Sequence, residues 1–202
     1  MSIGIKLNFE DRYEVEQVDN SPRNYQFFTE LTSGEKVLLG VKISLQAHPL
    51  MSNVYNLAFG PVDKYNNIND QSKLQHKNYS KVFSTIIYIG TIFLMENQDK
   101  YLGIDGSNNA RAYFYYRSLQ NNLAYLEQFF KLQGVRYYVR LLRKENPEDP
   151  GHLIDATDMA TRLYPILPTE AVRFDKLYNY IVFNLSTAKT NVYEAKKADH
   201  FA

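Results

Sequence analysis

Apolar and polar residues alternate along the first 60 positions, and this pattern predicts β-strands. Every second residue from Val37 to Leu45 is apolar, which is the period of a half-buried strand. Asn24–Leu31 is expected to be its hairpin partner. Asn53–Phe59 is expected to be a third strand that ends at Pro61, because proline has no N–H to donate to a ladder.

Helical spacing replaces this alternation in the middle of the chain. Apolar residues from Val82 to Phe93 form a broad stripe, which predicts a helix covered on most sides. Tyr101–Asp105 is predicted to be a short strand. A long helix is then expected to start near Asn108, to keep apolar spacing as far as Phe130 and to stop at Gly134.

The last third of the chain has a clear break. Val135–Arg143 alternates as a strand, whereas Glu145–Gly151 combines two prolines, three acids and a glycine and should be an exposed connector. Beyond it we expect a short helix over Asp158–Tyr164 and a late strand over Tyr178–Leu185.

These elements predict an α+β fold, with a curved antiparallel sheet of about six or seven strands packed on two central helices. Residues 1–144 would form the core. Residues 145–202 would form an acidic connector and a C-terminal segment that folds back on this core, within a single domain overall.

Charge is unevenly spread, although the net charge of the 202 residues is only +1. Residues 101–144 hold 7 Lys or Arg against 2 Asp or Glu, whereas residues 145–202 hold 6 against 9. The basic middle could bind an anion, or the acidic C-terminal part could neutralise it. The longest apolar run, Val82–Met95, is shorter than the roughly 20 residues that span a bilayer, and no targeting signal is visible, so we expect a cytoplasmic protein without membrane contact.

Most enzyme signatures are absent. The chain has no cysteine, which excludes thiolate catalysis and cysteine-based metal centres, and it contains no phosphate-binding or nucleophile-elbow motif. The four histidines are far apart in sequence, and no local spacing of acids and histidines supports a metal site. We therefore predict no catalytic residue, metal or cofactor.

The turn between the predicted 101–105 strand and the next helix is the best candidate site. Ser107 or Asn108 can cap the helix, whose first N–H groups attract anions, and Arg111 lies in its first turn. A cation is unfavourable there unless an anion compensates it. That anion is either Asp105, in an internal pair, or a bound phosphate or carboxylate. Lys81 occupies the same position in the preceding helix, so both cations could share one anion site.

Two further groups of residues could bind a ligand. Asn56 lies on a predicted strand, where asparagine is unfavourable unless it makes a hydrogen bond. Tyrosines and arginines interleave between residues 113 and 143, as on nucleic-acid platforms, but periodicity sends several tyrosines into the core. Arg136, Tyr138 and Arg140 are the members expected to stay exposed. The 17 Tyr and 12 Phe residues also suggest an aromatic patch that binds a protein partner or forms a homodimer.

Three segments, NVYNLAFG (53–60), KVFST (81–85) and GSNNARAYFYYRSLQNN (106–122), resemble ordered motifs of an uncharacterised family of small bacterial proteins. The resemblance covers roughly residues 24–138. The family usually has an acid where this chain has Pro61 and a threonine where it has Ala112, which removes two polar groups from any site. The resemblance implies a fold and a bacterial cytoplasmic setting, and it implies no activity.

Two function classes follow. The first is a non-catalytic binding or interaction protein, for which the resemblance suggests a role as an accessory of a stress, toxin–antitoxin or phage-related locus. The second is an enzyme acting on a nucleotide or nucleic acid, with phosphate held by Arg111 and Lys81. An ADP-ribosyltransferase-like toxin is one version of the second class, and only Ser84-Thr85 matches its expected residue set.

Overall fold

The computed structural model describes residues 4–70, 72–106, 108–141, 154–169, 177–178 and 180–186. These residues form eight strands and three helices, in an α+β arrangement. The elements in chain order are β1 (Glu16–Gln17), β2 (Asn24–Glu30), β3 (Lys36–His48), β4 (Met51–Pro61), α1 (Tyr79–Glu96), β5 (Tyr101–Asp105), α2 (Asn109–Asn121), α3 (Leu123–Leu126), β6 (Phe130–Leu141), β7 (Ile154–Pro165) and β8 (Tyr180–Leu185).

All eight strands belong to one sheet, in the order β1-β2-β3-β4-β5-β8-β6-β7. Neighbouring strands are antiparallel except β4 and β5, which are parallel and are joined by α1 as a crossover. The predicted fold class is confirmed, with eight strands in the described residues rather than six or seven. Strands β7 and β8 come from the C-terminal part of the chain, so that part completes the sheet.

The helices cover one face of the sheet, which we call the helix face. Alternate residues of β3 and β5 point to this face, and the apolar stripe of α1 packs against them. The opposite face, which we call the outer face, carries a smaller buried cluster of Val54, Val135, Tyr180 and Val182. None of the helices in the described ranges is long and apolar enough to cross a membrane.

Side chains, rather than a neighbouring strand, hold the N-terminal segment against the helices. The amides of Leu7 and Asn8 donate to Asn122 Oδ1 at 2.8 Å and to Ser84 Oγ at 2.9 Å, and the amide of Tyr13 donates to Thr85 Oγ1 at 2.9 Å. Thr85 Oγ1 also donates to the carbonyl of Lys81 within its own helix. Both hydroxyls therefore anchor the N-terminal segment to α1.

The long helix predicted from residue 108 to residue 130 was wrong. Helix α2 ends at Asn121, because the Asn122 side chain turns to the N-terminal segment, and Phe130 already pairs with Leu185 in the sheet. Gly134 therefore lies inside β6 rather than at a helix end. A Cβ there would sit 2.2 Å from Cγ of Tyr178, so glycine is required by the tyrosine ring that covers it.

The short helix predicted over residues 158–164 was also wrong. These residues belong to β7, which pairs with β6 from Gln133 to Leu141. A neighbouring strand that supplies a complete ladder overrides a weak helical pattern of this length. The predicted connector, residues 145–151, lies outside the described residues.

Candidate functional site

A cavity of about 390 Å³ lies where the first turns of α1 and α2 meet the end of β4 and the following loop. Its aromatic wall is formed by Phe59, Phe83, Phe114 and Tyr115. Its polar lining consists of Asp70, Ser72, Lys73, His76, Asn108 and Arg111. The three sequence motifs quoted above contribute Phe59, Phe83 and Arg111 respectively, so stretches far apart in sequence meet at this cavity.

The aromatic wall is a connected set of rings. Phe83 packs edge-on against Phe59 and Phe114, with ring centroids 5.8 and 5.5 Å apart, and Phe59 lies 5.9 Å from Tyr115. Because these rings come from β4, α1 and α2, they fix the relative position of all three elements. The wall therefore offers a preformed apolar surface rather than a flexible one.

Arg111 brings a positive charge to this apolar cavity. It is half-buried, and its Nη2 donates to the carbonyl of Ser72 at 3.4 Å. Its charge also lowers the pKa of Asp105 and of Tyr115, although burial dominates and leaves both pKa values raised. The amide of Arg111 donates to Asn108 Oδ1 at 3.1 Å, so the helix cap occupies this N–H.

Only part of the predicted site comes together in the structure. Asn108 and Arg111 line the cavity, and Ser107 lies outside the described residues. Asp105 stands at the exposed end of β5. Burial raises the pKa of Asp105, and the nearby Asp70 raises it further, whereas His48 and Arg111 lower it. Asp105 is therefore in electrostatic contact with the cavity through Asp70 and Arg111.

Lys81 and Asn56 lie elsewhere. The Lys81 ammonium pairs with Asp11 at 3.3 Å and lies 4.9 Å from the centre of the Tyr13 ring, beside a separate groove. The N-terminal segment therefore supplies the anion for this cation. Asn56 lies on the outer face, where its Oδ1 accepts a 3.4 Å hydrogen bond from the hydroxyl of Tyr180.

A second polar cluster on the outer face was not predicted from the sequence. His48 Nε2 lies 3.1 Å from the hydroxyl of Tyr137, and its ring packs 5.3 Å from that of Tyr180. The Nδ1 atom accepts from the amide of Leu50 at 3.2 Å, so the neutral imidazole carries its proton on Nε2. No sequence signal links these residues, because three different strands bring them together.

Acidification below neutral pH is expected to destabilise the protein through two histidines. Burial lowers the pKa of both His48 and His76 from the ordinary 6.5, and a nearby Asp105 only partly offsets this for His48. The unfolded chain then binds more protons than the folded one as pH falls through about 6.5, so the free energy of unfolding decreases. Thermal melts at pH 7.5 and pH 5.5 should show a lower Tm at pH 5.5.

The variant His48→Gln/His76→Gln tests this cause. It should show a smaller difference in Tm between the two pH values than the wild type. Asp105 contributes to the pH dependence in the opposite direction, because its raised pKa stabilises the folded state as acid is added. An unchanged difference in the double variant would contradict the assignment to these histidines.

The chain can now be compared with known proteins. Within the described ranges, no group of three or more His, Asp or Glu residues is placed to hold a metal ion. No curated protein and no solved structure matches the chain. Residues 9–148, well over half of the sequence, match a family of unknown function, and the match includes every residue that we have placed in the cavity. The chain therefore belongs to the family of unknown function DUF6934.

Proposed function

We propose that the protein is a non-catalytic binding protein whose ligand site is the cavity beside Arg111. Its ligand would be a small molecule that joins a flat aromatic ring to a phosphate group, as a nucleotide does. The observation that carries this proposal is the combination of a connected aromatic wall with a half-buried arginine in one cavity.

The size and lining of the cavity support such a ligand. Small-molecule sites typically occupy about 300–1,000 Å³, with apolar walls and a few polar groups that set the orientation. A base could pack against the rings of Phe83 and Phe114, while the planar guanidinium of Arg111 can bind two phosphate oxygens. The side chain of Asn108 accepts from the amide of Arg111, and this bond keeps Arg111 in the first turn of α2.

The charges around the cavity support a phosphate rather than a cation. Lys73 and Arg111 are both positive, and His76 is neutral near pH 7 because burial lowers its pKa. Asp70 is the acid on the described lining, and its carboxylate could accept hydrogen bonds from the hydroxyls of a ribose.

One observation favours the second function class, an enzyme that acts on a nucleotide. His76 lines the cavity, and its lowered pKa keeps the imidazole in the neutral form that can accept a proton. Binding is the better supported class, because the raised pKa of Tyr115 keeps this lining residue protonated near pH 7.

The substitution Arg111→Ala tests the proposal by thermal melts with and without ATP, ADP and adenosine. For the wild type, a nucleotide at a hundredfold excess over Kd should raise the Tm by roughly 5–10 °C, since it adds about 2.7 kcal/mol of stability. In Arg111→Ala this shift should vanish or fall sharply, because a hydrogen bond to a charged group contributes about 1.5–3 kcal/mol. Adenosine, which lacks phosphate, should bind both forms weakly.

The matched control is Arg117→Ala. Arg117 lies on the same helix with an exposed side chain, and it donates to Gln120 Oε1 at 2.6 Å instead of lining the cavity. This variant should keep the full nucleotide shift. A wild type with no shift, together with a large drop in Tm for Arg111→Ala alone, would mean that Arg111 is structural. Conversion of the nucleotide by the wild type and not by His76→Gln would establish the enzyme class instead.

A further inference from the structure

Arginine and tyrosine side chains alternate on the helix face of the β6–β7 strand pair. We call them the arginine–tyrosine surface, and its members are Arg136, Tyr138, Arg140, Arg162 and Tyr164. Every second residue of β6 points to the same face. The antiparallel register places Arg162 opposite Arg136 and Tyr164 opposite Gly134, so the residues from β7 share that face.

These side chains hold one another in place. The guanidinium of Arg162 lies 5.2 Å from the centre of the Tyr138 ring, and that of Arg136 lies 4.9 Å from the centre of the Tyr164 ring. The two tyrosine hydroxyls are 2.8 Å apart. Cation–π contacts and this hydrogen bond therefore fix the planes of the rings and guanidinium groups before any partner arrives.

The surface is both accessible and positively charged. Tyr138 is 43% exposed, and the side chain of Arg140 is 65% exposed. Its three arginines contrast with a net charge of only +1 for the whole chain. Two acids of β7 lie beside these arginines. Asp155 is opposite Arg140 in the register, and Asp158 pairs with Arg140, but the 3.7 Å separation and the exposure of both side chains make this ion pair weak. A partner with several negative charges could readily displace Asp158 from Arg140.

We propose that the arginine–tyrosine surface binds single-stranded nucleic acid. Bases would stack on the exposed ring of Tyr138 and on the neighbouring guanidinium planes, while Arg140 and Arg162 would contact phosphates. RNA and DNA share this chemistry, because every base has a flat face and every link carries a charge. A duplex does not fit equally well, since its bases already stack on one another. This binding is independent of the nucleotide cavity.

Fluorescence anisotropy with labelled strands of about 20 nucleotides tests the proposal. The probes are a mixed-sequence RNA, the same sequence as DNA, and the DNA duplex. Wild-type protein should bind the single strands more tightly than the duplex, and binding should weaken as salt is added. Tyr138→Ala should weaken binding about tenfold, as expected for the loss of one stacked base. Arg162→Ala should weaken it severalfold and lower the slope of log affinity against log salt by about one.

Two matched controls come from the outer face of β6. Tyr137 is 38% exposed and adjacent to Tyr138, and Lys131 is an exposed cation. Tyr137→Ala and Lys131→Ala should leave the affinity within about twofold. Circular dichroism checks that each variant is folded.

The outcomes separate cleanly. Stronger binding of either single strand, or equal binding of both, supports the proposal, and a difference between RNA and DNA shows which class of strand the surface prefers. The proposal is overturned if neither single strand binds at about 50 mM salt, or if the duplex binds as well as the single strands. It is also overturned if the outer-face variants weaken binding as much as Tyr138→Ala and Arg162→Ala do.

Discussion

Replacing Asn122 by alanine is expected to lower the free energy of unfolding by about 3 kcal/mol. The buried Asn122 amide accepts from the amide of Leu7 at 2.8 Å and donates to the carbonyls of Ile5 at 2.8 Å and Ser118 at 2.7 Å. The variant would leave the Leu7 N–H and the Ile5 C=O buried without a partner. Because the bonds to Ile5 and Leu7 join residues more than 110 positions apart, their loss should loosen the N-terminal segment from the helices.

Thermal melts and hydrogen exchange measure this effect. The Tm should fall by roughly 6–12 °C, and the amides of residues 6–9 should lose protection before those of the sheet. Asn121→Ala is the matched control, because Asn121 is the preceding residue, has the same side chain and is exposed. Similar losses of stability for the two variants would contradict the assignment to these buried bonds, because alanine has the higher helix propensity and the exposed Asn121 side chain takes no part in them.

Local patterns were sufficient to predict the central part of the sheet. Alternation identified β3, and Pro61 marked the end of β4, because both signals act within a few residues. The bounds of β5, Tyr101–Asp105, were also correct. These strands are half-buried or buried on the helix face, so their apolar period directly reflects the side that they present to α1 and α2.

Tertiary contacts explain the predictions that failed. Apolar spacing continued from α2 across Asn122 and into β6, but spacing alone does not show that the Asn122 side chain leaves the helix to bind the N-terminal segment. Likewise, residues 158–164 are a strand only because β6 supplies a long partner. In both cases the deciding contact joins residues that are distant in sequence.

The sequence predicted only those parts of the candidate site whose residues are close together along the chain. Asn108 capping a helix that carries Arg111 follows from residues within one turn. The aromatic wall does not, because Phe59, Phe83 and Phe114 meet only after β4, α1 and α2 have packed. Lys81 was assigned to the same site for its position at a helix start, whereas the N-terminal segment places Asp11 beside it. The residues near Lys81 in the sequence give no sign that Asp11, 70 positions earlier, is its partner.

Replacing Gly103 by alanine is expected to destabilise the protein by about 2–3 kcal/mol. A Cβ at this position would lie 2.1 Å from Cε1 of Tyr180 and 2.3 Å from its hydroxyl oxygen, far closer than atoms can approach. The ring cannot easily move, since it is 95% buried, packs against His48 and bonds to Asn56. The Tm should fall by roughly 4–12 °C in a thermal melt.

A double-mutant cycle with Tyr180→Ala identifies the clash as the cause. Tyr180→Ala alone should cost about 3–5 kcal/mol, because it removes a large buried ring from the outer face. In that background the space above residue 103 is empty, so adding Gly103→Ala should cost little or even stabilise the strand, where glycine is unfavourable. The two substitutions should therefore be strongly non-additive, with an interaction energy of about 2 kcal/mol in chemical denaturation. Additive costs would instead mean that the backbone of β5 needs glycine at position 103, whether or not the ring of Tyr180 is present.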